Sequence, residues 1–496
     1  MSGSGQAEIE IKYAVEETTR VPDLAGIPGV VAVDALGVLH LEAVYFDTAD
    51  RRLVAARIAL RRRTGGHDAG WHVKLPAAVG RTEVQAPIDP EAPDALPEPI
   101  RDMIRTRLRD EPLEPIARIV TERDATVLTD AGGSGAIEFV DDRVTATDIA
   151  AGVVRTWREW EAEQVGDDAD ASAALLAAAD RVLQAAGARI SPSPAKLAQA
   201  LGGQRRETPP PATTAGEAVR RIVAGLVEQL HRDAVALRGG GPTEVHAARK
   251  IVRRIRSVLA LEAVTGEAGA ALRERLGTLG TTLGDARDPV VAAAVAADLL
   301  DDLDEGVPGA ADARRRLVDE RIASAEAAHA RIVDSLGSRP DLALFADLDA
   351  FAAAAPTGPS AGEPVAALSG LARRAVRRAV RRTRHVDGSL AALHDARKAA
   401  KRARYVIEEL HAAGVLRSTS ALRKAAKRAS AVHDAIGTHR DLELVLEQLP
   451  FESVRATAAG ENAFVYGVLA ERGARKAARL LRRARKVVDR FRAGGR

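Results

Sequence analysis

The stretch EIEIKYAV places charged side chains at alternate positions near the start of the sequence. Because successive side chains of a β-strand point to opposite faces, Glu8, Glu10 and Lys12 would share one face and the apolar residues between them the other. A row of two carboxylates and an ammonium group needs counter-charges, a metal ion or an anionic ligand. The stretch therefore predicts a polar ligand site on one face of a sheet.

Later strand-like stretches repeat this alternation of charged and apolar residues. The charged positions of the same parity are Arg61 and Arg63 in LRRR, Lys74 in HVKLP, Arg81 and Glu83 in RTEVQ, and Glu159, Glu161 and Glu163 in EWEAE. Carboxylates on neighbouring strands suit an oxygen-preferring cation such as Mg²⁺, and arginine and lysine suit phosphoryl oxygens. A barrel whose interior carries both signs of charge fits this pattern; the alternative is a sandwich with one ordinary polar face.

A second charged group lies in two similar helical segments, HAARKIVRRIRSVL and HDARKAAKRARYVI, whose first residues are 148 positions apart (394 − 246). At about 100° per residue their charged positions share one face. The first copy contributes His246, Arg249, Lys250, Arg253, Arg254 and Arg256, and the second contributes His394, Arg397, Lys398, Lys401, Arg402 and Arg404. The apolar positions predicted to face the core in the first copy are Ala247, Ile251, Val252, Ile255, Val258 and Leu259.

These repeated faces favour anion binding over an ordinary solvated surface. Like charges one helical turn apart repel, and solvated faces normally relieve this with glutamate. Neither copy contains glutamate, and Asp395 is the one acidic residue in the two segments. The two histidines could pack or cap the helices, or donate hydrogen bonds to phosphate, and the sequence leaves both roles open.

The elements that would position these residues divide the chain into two parts. Short alternating runs from Glu8 to Gln164 predict an antiparallel sheet or barrel, which a helix near residues 170–187 follows, so the first domain would span 1–203. Residues 204–215, rich in proline, form the predicted linker. From 216 to 496 we expect an all-α domain of two repeated halves, about 216–354 and 365–496. Related turns, LGDARDP and IGTHRDL, follow the two repeats.

Composition limits the functional classes. The chain of 496 residues has no cysteine, which excludes disulfides, thiolate metal sites and thiol nucleophiles. No apolar run approaches the roughly 20 residues of a membrane span, so we expect a cytoplasmic protein, with association with polyphosphate granules left open. Aromatic residues are 3% of the chain and are scarce in the basic segments. A nucleic-acid partner is therefore not expected, because base stacking has few platforms.

The ordered motifs of the first part resemble those of the CYTH, or triphosphate tunnel metalloenzyme, family. They are Glu8-Ile-Glu10-Ile-Lys12 as an ExExK signature, YFDT at Tyr45 to Thr48, LRRR, Lys74, RTE, Glu138 with Asp141 and Asp142, and EWEAE. The helical part resembles the CHAD domain, a conserved-histidine module that binds polyphosphate. Together they resemble the CYTH-CHAD architecture over nearly the whole chain.

The resemblance implies an eight-stranded antiparallel tunnel that hydrolyses a triphosphate with Mg²⁺ or Mn²⁺. It assigns metal binding to Glu8, Glu10, Glu161 and Glu163, with Glu138 or Asp141 as contributors, and phosphate binding to Lys12, Arg61, Arg63, Lys74, Arg81 and Arg123. Glu8, Glu10 and Lys12 would be catalytic, and a metal-activated water would attack in line. The chain departs from the family pattern at Thr121, where a basic residue is usual.

The function predicted is therefore that of an inorganic triphosphatase whose helical domain binds polyphosphate. The alternative is a non-catalytic polyphosphate-binding or targeting protein, which the departure at Thr121 favours. A cyclase or nucleoside triphosphatase would need an aromatic pocket for a base, and the sequence shows none.

Overall fold

The computed structural model describes residues 6–7, 9–76, 81–166, 168–193, 195–203, 210–241, 244–304, 306–384, 390–416 and 420–493, with the backbone alone at 6, 7, 81, 384, 390 and 420. The chain divides into two compact units, Met1–Pro209 and Pro210–Arg496.

The first unit is built on a ten-stranded antiparallel sheet. Its strands are β1 (Gln6–Ala7), β2 (Glu10–Val15), β3 (Val30–Asp47), β4 (Ala59–Thr64), β5 (Gly70–Pro76), β6 (Arg81–Ala86), β7 (Glu114–Asp130), β8 (Ala136–Asp148), β9 (Val153–Gln164) and β10 (Arg189–Ile190). Its helices are α1 (Arg52–Ala55), α2 (Glu98–Leu108), α3 (Ala169–Ala185) and α4 (Lys196–Ala200), and Leu24–Gly26 is a 3-10 turn.

The strand order is β1-β6-β5-β4-β3-β7-β8-β9-β2-β10. The predicted antiparallel sheet is confirmed, but the predicted closed barrel is not found among the described residues, because β1 and β10 end the strand order there without pairing with each other. The N-terminal stretch nevertheless pairs at both ends of the main sheet. Gln6 in β1 lies opposite Glu83 in β6, and Glu10 in β2 lies opposite Glu163 in β9.

Alternation along β9 shows how the sequence directs charges to one face. Trp160 is fully buried and packs in a cluster with Tyr13, Phe139 and the α3 residues Leu175, Leu176 and Leu183. Its neighbours Glu159 and Glu161 must therefore point to the opposite face of the sheet. Helix α3 is fixed at its start by Asp168, whose side chain accepts hydrogen bonds from two backbone N–H groups of the first turn. One face is thus apolar and covered, which leaves the other for polar side chains.

The described part of the second unit is helical, apart from an isolated bridge between Thr214 and Pro364. Its helices are α5 (Ala215–Gly239), α6 (Val245–Leu259), α7 (Glu262–Asp301, with a kink at Gly266), α8 (Ala310–Arg314), α9 (Glu320–Ser335), α10 (Arg339–Ala353), α11 (Ala367–Arg384), α12 (Leu390–Ala412), α13 (Ser420–Leu446), α14 (Leu449–Ala458) and α15 (Phe464–Ala493). Residues Arg315–Asp319 form a π-helical turn. None of the described helices combines the length and apolarity needed to cross a bilayer.

The two copies of the repeat form α6 and α12, which lie against each other. The Arg254 guanidinium of α6 pairs with the Glu409 carboxylate of α12. The predicted apolar face of α6 is confirmed at Ile251, Val252, Ile255, Val258 and Leu259, all of which are buried. The prediction for Ala247 is wrong, because Ala247 is exposed and Ala248 faces the core instead.

Candidate functional site

Most of the charged residues predicted for the first unit line one cavity of about 270 Å³ on the inner face of the sheet. The predicted residues among its lining are Glu10, Lys12, Arg61, Arg63, Lys74, Arg123, Glu138, Glu161 and Glu163. They come from six strands whose register places charged side chains side by side: Lys12 lies opposite Glu161, Lys74 opposite Glu83, and Glu138 opposite Glu163. The alternation in the sequence therefore located a shared cavity.

Three predicted site residues are not placed in this cavity. Glu8 lies outside the described residues, and for Arg81 the structure gives only a backbone position opposite Pro76. Asp141 points away from the cavity, and its carboxylate accepts two hydrogen bonds from Arg158, at 2.8 Å from Nε and 2.6 Å from Nη2. Its predicted role as a metal ligand is corrected, because strand parity directs the next residue, Asp142, to the cavity side.

One part of the cavity brings carboxylates together. Burial and the nearby carboxylates of Glu10, Glu161 and Glu138 together raise the pKa of Glu163 to about 6. Such crowding is relieved when a cation binds among the carboxylates. Glu10, Glu138 and Glu163 all line the cavity, and their carboxylate oxygens are the type of donor that a hard divalent metal such as Mg²⁺ prefers.

A neighbouring acidic cluster, Asp142, Glu159 and Glu161, already contains a cation from the protein. The Lys196 ammonium nitrogen lies 2.9 Å from Asp142 Oδ2, 2.5 Å from Glu159 Oε1 and 2.6 Å from Glu161 Oε1. Burial alone would lower the pKa of Lys196, but the three carboxylates raise it overall. The ammonium group is therefore held in its charged form inside the cavity.

Lys196 and Asp142 are site residues that sequence reasoning missed. Asp142 could have been found, because it shares the parity of Glu138 on β8. Lys196 lies on the short helix α4, beyond the last long strand, and no local pattern connects it with the sheet. It projects into the same cavity as Thr121, which is buried there. Lys196 thus supplies a cation to a cavity in which the usual basic residue at position 121 is absent.

Some of the acidic and basic side chains form ion pairs with one another across the cavity. Arg123 makes a two-pronged contact with Asp142, at 2.8 Å from Nε and 2.7 Å from Nη2, and Lys12 lies 2.8 Å from Glu10. Arg63 differs, because burial and the neighbouring guanidinium groups of Arg61 and Arg123 lower its pKa. The lining contains six cationic and six acidic residues in all. A divalent metal and a multivalent anion binding together would preserve this balance better than either alone.

Replacing Lys196 with methionine should lower the free energy of unfolding of the first unit by about 3 kcal/mol at pH 7, because three buried carboxylates would lose their common counter-charge. Divalent metal should recover part of the loss. The measurement is urea denaturation of the whole chain followed by tryptophan fluorescence, since all three tryptophans lie in the first unit. The matched control is Arg189→Met at an exposed position of β10. Equal losses of stability in the two variants would contradict the assignment of Lys196 as the common counter-charge of the three carboxylates.

In the second unit, the basic residues of α6 and α12 form a crowded surface at the contact between the helices. Burial and the nearby guanidinium groups of Arg253, Arg397, Arg249 and Arg256 lower the pKa of Lys401 to about 7. Burial and Arg249 lower the pKa of Arg253 to about 10. These directions show that cations outnumber acids at this surface, which we call the repeat surface and which an anion would stabilise.

The other predicted residues of the helical unit are placed in two ways. Arg254 forms an ion pair with Glu409, and Arg404 forms one with Glu408. The side chains exposed to solvent are Lys250, Arg256, Lys398 and Arg402.

The predicted histidines lie beside the repeat surface. His246 Nδ1 accepts a hydrogen bond from Arg287 at 3.3 Å, and His394 Nδ1 is buried without a hydrogen-bond partner among the described residues. Burial and neighbouring cations lower the pKa of both.

The prediction of two related turns is wrong, because LGDARDP lies inside helix α7 and IGTHRDL inside helix α13. The glycines of these two repeated segments make room for the equivalent arginines. A Cβ on Gly284 would lie 3.2 Å from Arg249 Nη2, and a Cβ on Gly437 would lie 3.3 Å from Arg397 Nε. The Arg249 guanidinium also pairs with Asp288 of the same segment. The sequence repeat therefore corresponds to a repeated packing arrangement of arginine against glycine.

The polyphosphate binding predicted from the sequence gives a test of this packing: replacing Gly437 with alanine should weaken it roughly threefold, because the added methyl group displaces the Arg397 guanidinium while alanine still favours the helix. Binding of long-chain polyphosphate, measured by calorimetry, tests this. Gly225→Ala on α5 is the control, since nothing lies within 4 Å of its Cβ position. Unchanged affinity of the Gly437 variant would show that this placement of Arg397 is unimportant.

Comparison with known proteins identifies both units. The CYTH domain model matches residues 6–178, and the CHAD domain model matches residues 218–450. An uncharacterized protein of Mycobacterium tuberculosis strain H37Rv is 35% identical over 483 residues, which is 93% of this chain and 92% of that protein.

Two solved structures are also similar to parts of the chain. The CHAD domain of Ricinus communis is 26% identical, covers 58% of this chain and 94% of its own, and has a TM-score of 0.45. A Hippeastrum protein, HpAC1, with a dominant triphosphatase activity is 18% identical, covers 40% and 96%, and has a TM-score of 0.23. From the domain matches and the mycobacterial relative, the chain belongs to the family of proteins that join a CYTH, or triphosphate tunnel, domain to a CHAD domain.

Proposed function

We propose that the CYTH domain hydrolyses inorganic triphosphate with a divalent metal, and that the CHAD domain binds polyphosphate. The observation that carries the first part is the single cavity in which a group of carboxylates adjoins a group of arginines and lysines. A phosphate chain with its metal needs both kinds of partner within a few ångströms.

The basic residues of the cavity would bind and orient the substrate. Arg61 and Arg63 alternate on β4, so both guanidinium groups face the cavity, and Lys74 lies on the adjacent strand β5. Guanidinium groups bind phosphoryl oxygens in a fixed fork geometry. The positive groups also stabilise the charge that develops on the leaving phosphate. No protein nucleophile is required in this scheme.

The acidic residues would hold the metal. Glu10, Glu138 and Glu163 provide the oxygen donors, and Glu161 is oriented by Lys12, Arg123 and Lys196. A divalent metal at this place would polarise phosphoryl oxygens and activate a water molecule for attack. Lys12 bridges the carboxylates of Glu10 and Glu161.

The decisive experiment is phosphate release from tripolyphosphate by the purified chain, with Mg²⁺, with Mn²⁺ and with a chelator. Metal-dependent release supports the triphosphatase. The specific alternative is a domain that binds triphosphate without hydrolysing it, which Thr121 favours because one usual cation is absent. Binding without release under all conditions would establish that alternative, and Thr121→Arg would then be the first variant to make.

The proposal for the CHAD domain is supported by the repeat surface. There, burial and the neighbouring guanidinium groups lower the pKa of Lys401 and of Arg253. A linear polyanion without bases suits a surface that has many guanidinium groups and few aromatic rings.

A further inference from the structure

His72 lies under the basic part of the cavity and contacts two acidic residues. It is on β5, opposite Arg61 of β4 and Gln85 of β6, and it is 2% exposed. Its Nδ1 lies 2.8 Å from Glu83 Oε1, and its Nε2 lies 2.8 Å from the backbone carbonyl oxygen of Asp68. Both ring nitrogens therefore face oxygen acceptors.

This geometry specifies the protonation state of the ring. A neutral imidazole donates through one nitrogen and accepts through the other. The lone pair of the accepting nitrogen would then face the lone pair of an oxygen, which is repulsive. Moving the proton to Glu83 would also relieve the conflict. However, Glu83 Oε2 lies 3.2 Å from the Lys74 ammonium nitrogen, and Glu83 Oε1 lies 3.4 Å from Arg61 Nη2, which favours the charged carboxylate. The arrangement is satisfied by an imidazolium that donates in both directions.

The two partners of His72 in turn hold the phosphate-binding cations. Glu83 contacts Lys74 and Arg61, and the Asp68 side chain pairs with Arg63. Asp68 belongs to the β4–β5 connection, which turns sharply at Gly65, where φ is +78° and a Cβ would lie 2.1 Å from the His40 carbonyl oxygen. His72 thus links this connection to β6. It contacts both Glu83 and Asp68, which are the acidic partners of the three cations Arg61, Arg63 and Lys74.

We propose that His72, as an imidazolium, is a positioning residue for the phosphate-binding part of the cavity: it fixes Glu83 and the Asp68 connection so that Arg61, Arg63 and Lys74 face the anion. The inference rests on the proposed function in one respect, that these three cations bind phosphate. The imidazolium also adds charge. With it, the local sum of Arg61, Arg63, Lys74, His72, Glu83 and Asp68 is +2, and without its proton the sum is +1.

The protonation state can be tested without any activity. In the full chain labelled with ¹⁵N-histidine, the His72 signals are identified as those missing from the His72→Gln spectrum. We expect two protonated ring nitrogens at pH 7. A single protonated nitrogen, that is, a neutral tautomer, would overturn the proposal whether or not the protein hydrolyses triphosphate.

The positioning role is tested by kinetics with the His72→Gln variant. Glutamine cannot donate to both acceptors, so we expect KM for tripolyphosphate to rise roughly tenfold, as expected for losing one charge-assisted hydrogen bond. The value of kcat should stay within about threefold, because the residue does not touch the reacting atoms. The control is His67→Gln, at an exposed position of the same connection. A loss in kcat alone, or equal effects of the two variants, would refute the role.

Five groups face His72: Arg61 from β4, Asp68 from the connection, Lys74 from β5, and Glu83 and Gln85 from β6. If the wild type binds tripolyphosphate without turnover, Kd from calorimetry replaces KM; absence of binding would refute the proposed function and leave the ¹⁵N result standing.

Discussion

Replacing Glu163 with glutamine should reduce metal-dependent phosphate release by roughly 10²- to 10³-fold, while tripolyphosphate binding in the presence of a chelator is retained. Glutamine keeps the size of the side chain and removes the charge that a hard metal requires. The phosphate-binding residues Arg61, Arg63 and Lys74 lie on β4 and β5 and are untouched by the change. The measurement is kcat at saturating metal, with calorimetric binding beside it.

Glu122→Gln is the matched control for this change. Glu122 lies on β7 in the same sheet, but it is exposed and its parity directs it away from the cavity. Its replacement should leave turnover unchanged. If both variants lose activity equally, or if the Glu163 variant keeps full activity, the metal site has been assigned to the wrong carboxylates.

The pKa of Glu163 gives a second, independent consequence of the same replacement. Its pKa in the folded chain, about 6, exceeds its ordinary value of 4.5, so the folded state binds more protons than the unfolded state between these pH values. Without metal, the stability of the wild type should therefore fall as pH rises through this window. Above pH 6, Glu163→Gln should be more stable than the wild type by about 1 kcal/mol, after allowing for solvent screening. Denaturation followed by tryptophan fluorescence tests this, and a variant that is both inactive and destabilised would indicate a structural role instead.

The alternation of charge in the sequence was sufficient to predict the cavity lining, because parity in a paired strand is a local property. Glu10, Lys12, Arg61 and Arg63 share a cavity since each follows its strand's period of two. The same rule directs Asp142, not Asp141, to the cavity, because Asp142 shares the parity of Glu138 on β8.

Contacts between distant segments were beyond prediction from a single sequence. Lys196 reaches three carboxylates from a five-residue helix that has no periodic signal of its own. No sequence pattern singled out His72, and only the positions of Asp68 and Glu83 reveal its two acceptors. The closed barrel was a further expectation that strand patterns could not decide, because closure depends on which edges meet.

Reversing the charges of Arg249 and Arg397 together, to glutamate, should lower the affinity of the chain for long-chain polyphosphate at least about 100-fold at low salt. The two residues are equivalent in the sequence repeat, and each packs against a glycine of the helix that follows its own copy, Gly284 on α7 or Gly437 on α13. Both contribute to the positive potential that lowers the pKa of Lys401. The reversal therefore removes the attraction at the centre of the repeat surface, and the dependence of log K on log salt should become shallower by about two.

The matched control is the double reversal of Arg331 and Arg339, which are exposed on α9 and α10 and change the net charge by the same amount. If binding depends only on overall charge, the two double variants will lose affinity equally, and the repeat surface is not the binding site. Glutamine at positions 249 and 397 provides a milder pair in case glutamate beside Asp288 impairs folding. Loss of affinity in the glutamine pair, with affinity kept in the control, would locate polyphosphate at the contact between the two repeated helices, where the cations of both copies meet.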